Sequence, residues 1–124
     1  SGNYDMAARD LNYFYRQAGA NTSLSADEIA SFYETASSLY KKELAPRFTL
    51  LEGTQTNLVH ACLHARRIAT ILEGTRLEDL KRYGIAYTHE VDGASNIEIE
   101  PYDKRLAIQL PNTVTAAGME PNPR

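Results

Sequence analysis

The chain has 124 residues, with 13 lysines and arginines against 16 aspartates and glutamates. That length suits one domain, and 43% hydrophobic with 23% charged side chains excludes a chain disordered throughout. No apolar run approaches the roughly 18 residues that span a bilayer, and the single cysteine, Cys62, excludes an internal disulfide framework and a multi-cysteine zinc site.

The first periodic segment predicts a helix over 4–18, with Ala7, Leu11, Phe14, Tyr15 and Ala18 on one face. Asn3 suits its N-cap and Gly19 its C′ position. Ser25-Ala26-Asp27-Glu28 has the spacing of a capping box, flanked by Leu24 and Ile29 as a hydrophobic staple. A second helix is expected over 26–45, with Ile29, Phe32, Tyr33, Ala36, Leu39, Tyr40 and Leu44 as its stripe and Pro46 as its stop. A third helix is expected over 55–73. It is apolar around so much of its circumference that it should lie centrally, with Cys62 on the apolar face. Gly74 and a second capping box, Thr75 to Glu78, predict a short helix over 76–83.

After Gly84 the period changes from helical to alternating. Strands are expected over 85–91, 97–100 and 105–110, separated by turn-rich segments, as a three-stranded antiparallel meander. Its apolar face would be Ile97, Ile99, Leu106, Ile108 and Leu110, packed on the helices. Helices first and strands afterwards give an α+β fold. Residues 1–111 read as a single domain and 112–124 as a proline-containing extension or linker. Ser1-Gly2 has the character of a cloning remnant, which suggests a domain cut from a larger protein. No secretory signal is visible, so the expectation is an intracellular, cytoplasmic setting without membrane contact.

The net charge of −3 is unevenly spread. Residues 54–89 carry five basic and three acidic side chains, together with His60, His64 and His89, while both flanks are acidic. Arg66, Arg67, Arg76, Lys81 and Arg82 form the basic concentration. Helix three, the Gly74 turn and the short helix that follows have the outline of a helix-turn-helix, making nucleic acid a candidate partner. Against this stand a pI near 5.6, a recognition helix of barely two turns, and Glu78 and Asp79 within it. The plainer reading is that cations near helix C-termini complement the dipole.

His60 and His64 are four apart on helix three and project from one side, so they could share a metal ion with His89 as a third ligand. The glutamate of a zinc-helix motif is absent, Ala61 standing in its place, and Cys62 points elsewhere on the helix. The plainer reading is a pair of partly exposed histidines. Glu98 and Glu100 share a sheet face, an arrangement commoner on a solvated strand than in acid–base chemistry. There is no glycine-rich phosphate loop, nucleophile elbow or Cys-x-x-Cys pair, and no cofactor is expected.

Eight tyrosines and three phenylalanines without a tryptophan are the most unusual feature of the composition. Tyr13-Phe14-Tyr15 cannot all face one core, and Tyr33 and Tyr40 sit seven apart on one helical face. Tyrosine offers rigid contact area with a polar tip, so Tyr13, Tyr15, Tyr33 and Tyr40 are candidate binding residues. The leading expectation is a non-enzymatic protein-interaction or regulatory domain, contacting another protein or a second copy of itself. Nucleic-acid binding and a small metal-dependent enzyme are the alternatives.

Overall fold

The computed structural model describes residues 3–122. Ser1-Gly2 and the terminal Pro123-Arg124, with the expectations placed on them, lie outside the described residues. The chain runs α1 (Tyr4–Gln17), α2 (Ala26–Thr35), α3 (Thr54–Ala69), α4 (Arg76–Tyr83), β1 (Tyr87–His89), β2 (Ile97–Ile99), a 3₁₀ helix (Lys104–Leu106) and α5 (Asn112–Ala116). The α+β class is as expected. Among the described residues, no helix is long and apolar enough to cross a membrane.

The first half is a three-helix layer. The Asn3 side chain caps α1 by accepting from the Met6 amide. The face that α1 buries keeps Leu11, with Phe14 and Tyr15 packed against the core, but takes in Ala8 and Asn12 in place of Ala7 and Ala18. Asn12 fixes the next loop. Its Nδ2 donates to the Leu24 carbonyl at 2.6 Å, and the Leu24 amide donates to its Oδ1 at 2.8 Å. The capping box of α2 forms in full, with Ser25 accepting from the Glu28 amide and Glu28 accepting from the Ser25 amide. Ala8, Leu11, Ile29, Tyr33, Leu58 and Ala61 meet in the main core.

Helix α3 is central, as its wide apolar face implied. Leu58, Ala61 and Ala65 join the main core, while Leu63 packs on the other side with Leu80 and Ile85. Two expectations about its surface are reversed: Cys62 is exposed, and His60 is buried, at 8% exposure.

Two expected helices end early. The second helix stops at Thr35, not 45, because Ala36 turns extended with ψ 142°. Lys41 then folds back, its Nζ donating to the Tyr33 and Glu34 carbonyls and supplying partners that a longer helix would have provided. Helix α3 stops at Ala69, not 73. Thr70 bonds its own hydroxyl to the Arg66 carbonyl, and the Thr75 hydroxyl donates to Thr70 instead of capping α4. The expected capping box at Thr75 is therefore absent, and Leu72, with positive φ, is fully exposed.

The third strand, expected over 105–110, does not form. Asp103 accepts from the Arg105 amide and starts the 3₁₀ turn. The Arg105 guanidinium donates to the Glu98 carbonyl at 2.6 Å, so a side chain occupies a β2 backbone acceptor that another strand could have used. The sheet is a two-stranded antiparallel hairpin pairing Tyr87 with Ile99 and His89 with Ile97, shorter than the expected 85–91 and 97–100. Ile99 and Leu106 are buried as expected, but Ile108 is 85% exposed. Helix α5 lies in the segment read as an extension and buries none of its residues.

Ala45 is the pin between these parts. Its amide donates to the Tyr83 carbonyl at 2.9 Å, and its carbonyl accepts from the Tyr102 hydroxyl at 2.8 Å. Gly84 ends α4 in the left-handed region (φ 58°), and a Cβ there would lie 2.3 Å from the Ala45 carbonyl oxygen. Only glycine suits both the dihedral and the approach.

Candidate functional site

Two recesses gather most of the side chains that the sequence singles out. The first is an apolar groove of about 430 Å³ between α1, α2 and α3. Phe14 and Tyr15 reach it from α1, Phe32 and Tyr33 from α2, Ile68 from the last turn of α3, and Leu24 from the loop held by Asn12. Phe32 is 55% exposed and Ile68 54% exposed, so large apolar side chains of the helical layer open to solvent. Edge-to-face contacts lock the aromatic side: Phe32 to Tyr33 at 5.2 Å and Phe32 to Tyr40 at 5.9 Å between ring centroids.

One polar pair interrupts the apolar lining. The Tyr33 hydroxyl lies 2.8 Å from His64 Nδ1. Burial, followed by the neighbouring Tyr15, pushes the Tyr33 phenol well above its ordinary range. Burial, followed by Arg67, holds the His64 imidazole below its ordinary value. With the phenol protonated and the ring neutral, the assignment is Tyr33 O–H donating to Nδ1, leaving the ring proton on Nε2. The edge of Tyr40 also packs on His64, with centroids 5.2 Å apart.

The structure thus brings Tyr15, Tyr33 and Tyr40 into one neighbourhood around Phe32 and His64, whereas Tyr13 stands apart, 63% exposed. Phe32 belongs to the expected apolar stripe of helix two, and periodicity alone does not mark it as opening to solvent. Ile68, part of the wide apolar circumference of the third helix, opens to solvent in the same way.

The second recess is polar. A groove of about 680 Å³ lies between the 36–45 segment, α3, α4 and the hairpin, lined by Lys42, Arg67, Arg76, Thr88, Glu90 and Glu98 among others. Lys42, Arg67 and Arg76 also border a small void of about 20 Å³ on the inner side, where His60 and His64 lie. The basic concentration expected from the sequence is therefore divided. Arg66 is bridged by Asp79 at 3.0 Å and Glu78 at 3.8 Å. Lys81 donates to the Leu106 carbonyl, and Arg82 lies over the Tyr83 ring. Arg67 and Arg76 turn together into the groove. Lys42, placed in a helix by the sequence pattern, joins them because that helix ends early.

His60 and His64 share the small void, while His89 lies on β1 and lines neither recess. Burial, followed by Lys41, lowers the His60 value. Among the described residues, no group of three or more His, Cys, Asp or Glu side chains is arranged to hold a metal ion. Glu98 accepts from the Thr88 hydroxyl at 3.1 Å. Although Cys62 is exposed, neighbouring atoms partly desolvate its thiol, and this, followed by the charge of Asp10, raises its value, which disfavours the thiolate. Compared with models of protein families, with curated proteins and with solved structures, the chain matches none.

Proposed function

We propose that this domain is a non-enzymatic protein-interaction module that takes an apolar segment of a partner into the groove between α1, α2 and α3. The observation that carries the reading is the open aromatic and aliphatic lining of that groove, with Phe32 and Ile68 each more than half exposed. Contiguous apolar surface of this kind marks interaction sites more often than it marks ordinary solvated surface. The Tyr33–His64 pair adds one polar anchor, so a partner segment would combine apolar side chains with a hydrogen-bonding group. An unpaired cysteine accords with an intracellular setting.

The nucleic-acid reading has less support. Arg66 and Lys81 are engaged within the chain, and Glu78 and Asp79 occupy the short helix that would meet phosphate. A metal-dependent enzyme has less still, since it would need His89 beside His60 and His64.

Selection from a displayed peptide library tests the proposal. Peptides enriched on the wild-type domain are expected to carry apolar anchors and to bind Phe32→Asp and Ile68→Asp at least about tenfold more weakly, since a charge replaces an anchor contact. Both positions are surface-exposed, so both variants should fold. No enrichment over an unrelated domain, or binding indifferent to both substitutions, would overturn the reading.

A further inference from the structure

We propose that the polar groove is a binding site for a small phosphate monoester, with Lys42, Arg67 and Arg76 holding the phosphate and Glu90 and Glu98 receiving hydroxyl or amino groups on the rest of the ligand. Its carrying observation is a juxtaposition of three cations, independent of the apolar groove.

Lys42 comes from the 36–45 segment, Arg67 from the last turn of α3 and Arg76 from the first residue of α4, and all three line the same groove. Three separate parts of the chain therefore aim positive charge at one recess. Among the described residues, none of the three has a carboxylate within 4.0 Å, while neighbouring Arg66 is bridged by Asp79 and Glu78. Arg76 is partly withdrawn from water. That desolvation, followed by the charge of Arg67, lowers its hold on its proton, and Asp79 only partly opposes this. Three cations gathered with no carboxylate in ion-pair contact leave room for an anion among them, and a phosphate monoester brings nearly two negative charges and three acceptor oxygens.

The opposite wall sets the ligand class. Glu90 and Glu98 would repel a long polyanion, yet each can accept from a hydroxyl or ammonium group, and Thr88 adds a hydroxyl beside Glu98. A groove of about 680 Å³ suits a small molecule of this mixed character.

Titration followed by ¹H–¹⁵N NMR and calorimetry, at fixed ionic strength, tests the site with inorganic phosphate, ribose 5-phosphate, ribose and a short DNA duplex as probes. Ribose 5-phosphate is expected to shift the amides of residues 76–79 and 88 and to bind at least about fivefold tighter than inorganic phosphate, with ribose silent. Lys42→Gln, at an exposed loop position, and Arg76→Gln should each weaken binding about tenfold. Arg67→Lys should retain more affinity than Arg67→Gln. Glu98→Gln should erase much of the preference for the ester over free phosphate. Phe32→Asp should change nothing here, which separates this site from the peptide groove. No shift with either phosphate, equal binding of ribose and its phosphate, or tighter binding of the duplex through the same arginines would overturn the proposal.

Discussion

The two sides of α3 are built by different means. Toward α1 and α2, Leu58, Ala61 and Ala65 enter a core with Ile29 and Tyr33, and the surrounding elements are helices with side-chain or backbone caps. Toward α4 and the hairpin, Leu63 meets, among the described residues, Leu80 and Ile85 as its buried partners, and much of the surrounding chain is loop. There, individual polar contacts between segments do what regular packing does on the other side. Tyr102 holds Ala45, Arg105 holds the Glu98 carbonyl, and Lys81 holds the Leu106 carbonyl. One helix thus joins a side specified by apolar periodicity to a side specified by individual hydrogen bonds. Each side carries one recess, apolar on the first and polar on the second.

The largest test of this contrast is Ile29→Ala. Ile29 is 2% exposed in the main core, and truncation should destabilise the fold by about 2–5 kcal/mol through lost transfer energy and the cavity left behind. Chemical denaturation reads the loss. Because α3 serves both cores, both halves should melt together; a variant that lost only the helical layer, with the hairpin intact, would show that the halves fold separately.

Gly84→Ala should come next, at about 2–3 kcal/mol. The new Cβ would meet the Ala45 carbonyl oxygen at 2.3 Å, and the residue would remain in the left-handed region. Hydrogen exchange should show protection lost first at Ala45 and Ile85, whose amides bond to the Tyr83 and Leu80 carbonyls, with α1 and α2 affected least. Equal loss everywhere would erase the distinction between the two sides.

The same contrast explains what could be read from the sequence. Repeating apolar positions and the Ser25–Glu28 box mark α1, α2 and α3, because short-range geometry decides whether such segments become helices, whereas α4 forms where Gly74 and Thr75 place it although the capping box expected there does not. The period-two pattern found β1 and β2 for the same reason. Periodicity could not show where helix two would stop. Leu39, Tyr40 and Leu44 continue its stripe, and the break at Ala36 depends on Lys41 reaching back to Tyr33 and Glu34. The failed third strand has a similar cause, since Leu106, Ile108 and Leu110 alternate properly while Arg105 diverts the backbone acceptor. Both candidate recesses inherit this limit. The aromatic residues and the basic segment were visible, but the opening at Phe32 and Ile68 and the arrival of Lys42 beside Arg67 and Arg76 are consequences of tertiary structure.

Acid should expose the seam between the two sides with the smallest of these effects. The folded values of both His60 and His64 lie below the ordinary 6.5, chiefly because burial disfavours the imidazolium. The unfolded chain therefore binds protons more readily as pH falls below about 6.5, so the contribution of these histidines is present above that value and is lost as pH falls through the depressed folded values. Protonated His64 can no longer accept at Nδ1 from Tyr33, and protonated His60 and His64 face the positive charges of Lys41 and Arg67, respectively. Thermal melts between pH 8 and 5 should show declining stability, and His60→Gln with His64→Gln should flatten the decline. Hydrogen exchange should loosen residues 40–45 before α1, because the Lys41 contacts that anchor this segment lie beside the histidine pair. If α1 opened first, or the double variant kept the wild-type slope, the acid-sensitive element would lie elsewhere than along this face of α3.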